Sequence, residues 1–156
     1  MTMPTRQQVL RRLYEMAGTT AFDSDLNALA AFRDRIAKVG RQRDLLPYSD
    51  LVAGVQLQIP NVAGGAPFQL GVPEWIDLHR AILGEYLFRL ALESFEAADF
   101  FASALVISKE DRVPSDGFRE LLVKTGFIGS RKGDDWMAVW IDHVNKAYAY
   151  YQNTAP

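Results

Sequence analysis

"SALVISKEDRVPSDGF", residues 103–118, decides how the chain is read. Three apolar residues, Leu105, Val106 and Ile107, run into a charged tetrad at 109–112, and Pro114, Gly117 and Phe118 follow. The flanking chain reads as helix, so a β-type run here predicts a small sheet in a helical protein. A lone strand cannot satisfy its own backbone N–H and C=O groups. The run 102–108 is therefore expected to pair with one of two segments. One is the chain from Val113 onward, as a hairpin turned by 109–112; the other is the alternating stretch 55–59.

Working outward, Thr5 and Gln8 form a T-x-x-Q capping box for a first helix that Gly18 ends. Ser24 is the expected N-cap of a second helix running to Val39, with Gly40 as its stop. Leu29, Phe32, Ile36 and Val39 share one side of that helix, and Asp34, Lys38 and Arg41 lie opposite. Pro47 holds Leu46 extended, and Ser49 is expected to cap a short helix ending near 53. Residues 54–73 are rich in glycine and proline and read as a loop-rich insertion, expected to be the most mobile ordered segment. The longest helix follows over about 74–91, with Trp75, His79, Ile82, Tyr86 and Leu90 in one stripe. A short helix closed by Gly126 comes after the opening stretch. A final helix over about 134–152 places Trp136, Val139, Trp140, His143, Ala147 and Tyr151 on one face. The expected fold is α+β and mostly helical, one domain over 1–156, with N-terminal helices in 1–44 and a second region in 45–151 that ends in a long helix.

Hydrophobic residues make up 49% of the 156 and charged residues 23%, the balance of a globular chain. The net charge of −2 argues against a protein coated in nucleic acid, but the charge is unevenly spread. Residues 1–45 hold eight Lys/Arg against five Asp/Glu, and Arg33, Arg35, Lys38, Arg41 and Arg43 fall within eleven positions. The absence of cysteine removes disulfides, thiolate nucleophiles and Cys-based zinc sites together. Arg11 and Arg12 interrupt any signal-peptide core, and no apolar run approaches membrane-spanning length, so a soluble, cytoplasmic protein is expected.

The order of "LHRAILGEYL" (78–87), "FFASALVISKEDRVPSDGF" (100–118) and "VNKAYAYY" (144–151), preceded by "LLPYSDLV" (45–52), resembles a poorly characterised bacterial domain. That domain occurs alone and beside nuclease domains of the HNH type. More remotely, the order resembles the winged-helix DNA-binding half of alkylguanine-DNA alkyltransferases. The resemblance implies a winged-helix-like core with a small hairpin or sheet, and a recognition helix at about 74–91. The chain departs from the pattern at Ser115-Asp116 and in the long 54–73 insertion. Without cysteine, alkyl transfer is excluded.

No catalytic signature is complete. His79 and His143 both lie in apolar stripes, which suits hydrogen-bonded core residues rather than a triad or a metal site. Glu93, Glu96 and Asp99 end the long helix as a charged terminus, and "NVAGGAP" (61–67) lacks the Gly-Lys-Ser/Thr of a phosphate loop. The expectation is a non-catalytic binding module without metal or cofactor. DNA is the first candidate partner, contacted by Arg33, Arg35, Lys38, Arg41 and Arg43 with Lys109 and Arg112. The alternative is a protein-interaction module, such as an inhibitor, an adaptor or a component of a phage-related or defence system.

Overall fold

A computed structural model describes residues 3–18, 25–130, 132–133 and 135–154. It is mostly helical with one small sheet. In chain order the elements are α1 (Arg6–Ala17), α2 (Leu26–Arg41), β1 (Leu46–Pro47), α3 (Tyr48–Val52), α4 (Asp77–Ala98), β2 (Val106–Ile107), α5 (Asp116–Thr125) and α6 (Asp135–Gln152).

The local signals act as their chemistry dictates. Thr5 Oγ1 accepts the Gln8 N–H at 3.2 Å and Gln8 Oε1 accepts the Thr5 N–H at 2.9 Å, closing the capping box. Gly126 ends α5 at φ 91°, a left-handed conformation that a Cβ disfavours. Ser24 lies outside the described residues, and α2 is capped by Asp25, whose Oδ1 accepts the N–H groups of Asn27 and Ala28. Ser49 sits inside α3 rather than capping it.

Gly40 does not stop α2, which continues to Arg41. It is a packing residue instead. A Cβ at this position would fall on the Tyr151 ring, 2.8 Å from Cγ, so the missing side chain is what lets α6 lie against α2.

The opening stretch differs most from expectation. Residues Ala102–Leu105 form a 3-10 turn and only Val106–Ile107 is strand. The strand pairs parallel with β1, Leu46 opposite Val106 and Pro47 opposite Ile107, and not with the chain after Val113 or with 55–59. After β2 the chain makes a tight turn, with the Ser108 N–H donating to the Val113 carbonyl at 2.9 Å, and then enters α5. Side chains from two helices take over what a sheet ladder would have supplied. Ser94 Oγ donates to the Phe100 carbonyl and accepts the Ala102 N–H, both at 2.8 Å. His143 Nδ1 accepts the Phe101 N–H at 3.0 Å, and Trp140 Nε1 donates to the Ala104 carbonyl at 2.8 Å. With its polar groups met in this way, an apolar run need not be a strand.

Two packed clusters are shared by α4 and α6. One joins α2, the 54–70 segment, Ile82, Tyr86 and Leu90 of α4, and Ala147 and Tyr151 of α6. The other joins α1, Phe95 of α4, α5, and Trp136 and Trp140 of α6. The 54–73 segment is a working part of the first cluster. Leu57, Ile59 and Leu70 are buried, and Leu57 and Phe68 exchange two backbone hydrogen bonds at 2.7 and 2.9 Å. The expected strand at 55–59 reduces to that single bridge.

Candidate functional site

The structure disperses the basic cluster. Arg33 on α2 is bidentate to Glu93 on α4, with Nε and Nη2 at 2.9 and 2.8 Å from the two carboxylate oxygens. Arg35 Nη1 donates to the carbonyls of Asp50, Leu51 and Ala53 at 3.1, 2.9 and 2.7 Å. It thereby satisfies the C-terminal end of α3, whose last carbonyls have no helical partner. The Arg43 guanidinium lies 5.6 Å from the centre of the Tyr148 ring. Lys38 and Arg41 sit in the last turn of α2, where positive charge complements the helix dipole, and make no ion pair among the described residues. Lys109 and Arg112 are exposed on the turn after β2. Because the strands are parallel, Arg43 precedes the pair and Lys109 and Arg112 follow it.

The two histidines serve the backbone. His79 Nδ1 accepts the Gly71 N–H at 3.0 Å, tying the 54–73 segment to α4. His143 is fully buried, stacked at 4.8 Å on Phe101 and set edge-on to Phe127 at 5.0 Å. Since its Nδ1 is an acceptor, its proton sits on Nε2. Burial, reinforced by Lys146, holds this imidazole down at about 4. The three carboxylates at the end of α4 part company as well: Glu93 binds Arg33, Glu96 accepts from the Tyr14 hydroxyl at 2.8 Å, and Asp99 pairs with Arg6. No group of three or more His, Asp or Glu among the described residues is arranged to hold a metal.

One concave feature escaped the sequence reading. A cleft of about 360 Å³ lies between α4 and α5. Its walls include Leu87, Phe88 and Leu121, Ala81 and Gly84 leave it open along α4, and Tyr48, Ser103 and Ser115 line it as well. Tyr48 is positioned by accepting the Ser115 N–H at 2.8 Å, and burial raises its phenol, so it stays protonated. The one available clue was Ser103, a single hydroxyl inside the apolar run 100–107.

No protein-family model, curated protein or solved structure matches the chain. No helix among the described residues is long and apolar enough to cross a membrane.

Proposed function

We propose that the protein is a non-catalytic binding module whose partner is another protein. The observation that carries this reading is a set of exposed apolar side chains at the junction between the packed 54–73 segment and α4. Val72, Ile76 and Leu78, all within seven positions, are 57%, 45% and 43% exposed. Single exposed apolar residues are ordinary, but a run of large ones on a well-anchored backbone is what a partner surface needs. Glu93 and three backbone carbonyls meanwhile engage the two guanidinium groups, Arg33 and Arg35, that a phosphate-binding face would have required.

Nucleic acid is the second reading, favoured by Lys38 and Arg41, which make no ion pair among the described residues, and by exposed Lys109 and Arg112. It goes with the winged-helix view of the fold, in which α4 would be the recognition helix. A fluorescence-anisotropy titration of duplex and single-stranded DNA at two salt concentrations separates the readings. The protein-partner reading expects no binding at low salt. Binding that tightens as salt falls, with a log–log slope that drops by about two units in Lys38→Gln/Arg41→Gln, would put nucleic acid first.

A further inference from the structure

We propose that the exposed face of α6 is a self-association surface, on which a second copy of this chain docks about a two-fold axis. A knob and a hollow stand side by side there. Met137 and Ile141, one turn apart on α6, are 40% and 50% exposed. The neighbouring row of the helix holds Ala138 and Asp142, and that row walls a hollow of about 480 Å³. Phe95 of α4, Phe127 and Val139 give the hollow an apolar lining, to which the exposed Met3 adds.

Large apolar side chains beside an apolar hollow are what an isologous contact requires. A two-fold operation sets the patch against itself, so Ile141 of each copy meets the hollow of the other and both contacts form together. Charge favours a second copy as the occupant. Identical faces brought together oppose like charges, which disfavours association unless each charge is already matched within its own copy. The charged residues that line the hollow are Arg6, Asp99, Asp142 and Lys146. Arg6 pairs with Asp99, and its guanidinium also donates to the carbonyls of Phe95 and Glu96 at 3.0 and 2.8 Å. Lys146 pairs with Asp142 at 3.0 Å. Every charge at the hollow is therefore matched internally. The end of α2 differs, since Lys38 and Arg41 make no ion pair among the described residues and would repel their own copies.

The self-association face lies apart from the exposed apolar side chains at 72–78. Leu78 and Phe95 stand near opposite ends of α4 (Asp77–Ala98), about 25 Å apart along its axis. A dimer through α6 thus presents two copies of the 72–78 side chains, and a partner with two sites would bind it with raised avidity. That consequence rests on the partner reading; the dimer itself does not.

Sedimentation equilibrium of the full chain over a range of concentrations reads the association directly. A monomer–dimer equilibrium with no larger species is expected. Its dissociation constant should change by less than about three-fold between low and high salt, because the charges at the hollow are paired within each copy. Ile141→Asp and Met137→Lys should each raise that constant at least ten-fold and leave the Tm of the monomer unchanged, since both side chains are exposed. On dilution of the wild type, the amide chemical shifts of Phe127, Ala138 and Ile141 should move and those of 72–78 should stay. Ile76→Ser/Leu78→Ser should dimerise as wild type does, so this face and the partner surface fail or stand separately. A monomer at every concentration, species larger than a dimer, wild-type association in both α6 variants, association abolished by salt, or dilution shifts confined to 72–78 would each overturn the proposal.

Discussion

Replacing Arg35 by Gln separates a guanidinium that supports the fold from one that waits for a phosphate. In the structure a single nitrogen, Nη1, serves three carbonyls, those of Asp50, Leu51 and Ala53, at 2.7–3.1 Å. That nitrogen carries two hydrogens, so the three contacts amount to about two full bonds, one of them shared. Hydrogen bonds to a charged group contribute about 1.5–3 kcal/mol each when shielded, and less where water competes. Two of the three contacts here are solvent-exposed, so the loss is expected to be about 2 kcal/mol rather than the sum. At this chain length 1 kcal/mol moves Tm by about 2–4 °C, so Arg35→Gln should lower Tm by about 4–8 °C. Lys38→Gln and Arg41→Gln, whose charges serve only the end of α2, should each change stability by no more than about 0.5 kcal/mol. Thermal and urea unfolding of the three variants, followed by circular dichroism, provides the comparison. Stability of Arg35→Gln indistinguishable from that of Lys38→Gln would refute the assignment and return Arg35 to the surface as a free cation.

Three further outcomes follow from the packing. Gly40→Ala gains about 1 kcal/mol of helix propensity but forces a methyl into the Tyr151 ring, so it should destabilise wild type by about 1–2 kcal/mol and stabilise a Tyr151→Ala background; stabilisation in both would refute the contact. His143 takes up its proton near 6.5 when unfolded and at about 4 when folded, so its contribution is complete above pH 6.5 and lost as pH falls. Stability should drop by about 1.2 kcal/mol from this residue between pH 6 and 5, and His143→Leu should remove that slope in urea titrations. The Leu57 and Phe68 amides should exchange slowly, within ten-fold of those in the middle of α4; exchange as fast as at the exposed turn 109–112 would show that the segment is a loose cover.

The sequence disclosed what short-range chemistry decides. The Thr5–Gln8 box, the Gly126 terminus and the apolar stripes of α4 and α6 are readable because their partners lie within a turn or two. The run 102–108 is strand only at Val106–Ile107, because the chain before it finds its backbone partners in Ser94, Trp140 and His143, two of them some forty positions away. Apolar character there reports burial, and the same residues suit a strand or a turn held by side chains. Gly40 carries the same ambiguity, since a glycine near a helix end is a stop or a contact depending on what faces it, here Tyr151. The basic residues illustrate the limit for a site. Their spacing around α2 was legible, but whether each charge was available depended on Glu93, sixty positions later, and on the end of α3. The cleft was hidden for a related reason: Tyr48, Ser103 and Ser115 stand far apart in the sequence and come to one cleft only in the folded chain.

Quantitative capture from nuclease-treated lysate tests whether a protein partner is held through the exposed apolar side chains at 72–78. Wild type, Ile76→Ser/Leu78→Ser and Lys38→Gln/Arg41→Gln would be compared for one reproducibly enriched protein, after confirming equal Tm values. Wild type and Lys38→Gln/Arg41→Gln are expected to retain that protein after nuclease treatment, and Ile76→Ser/Leu78→Ser to lose it by at least ten-fold. Enrichment that disappears with nuclease, or that depends on Lys38 and Arg41 and not on Ile76 and Leu78, would contradict it.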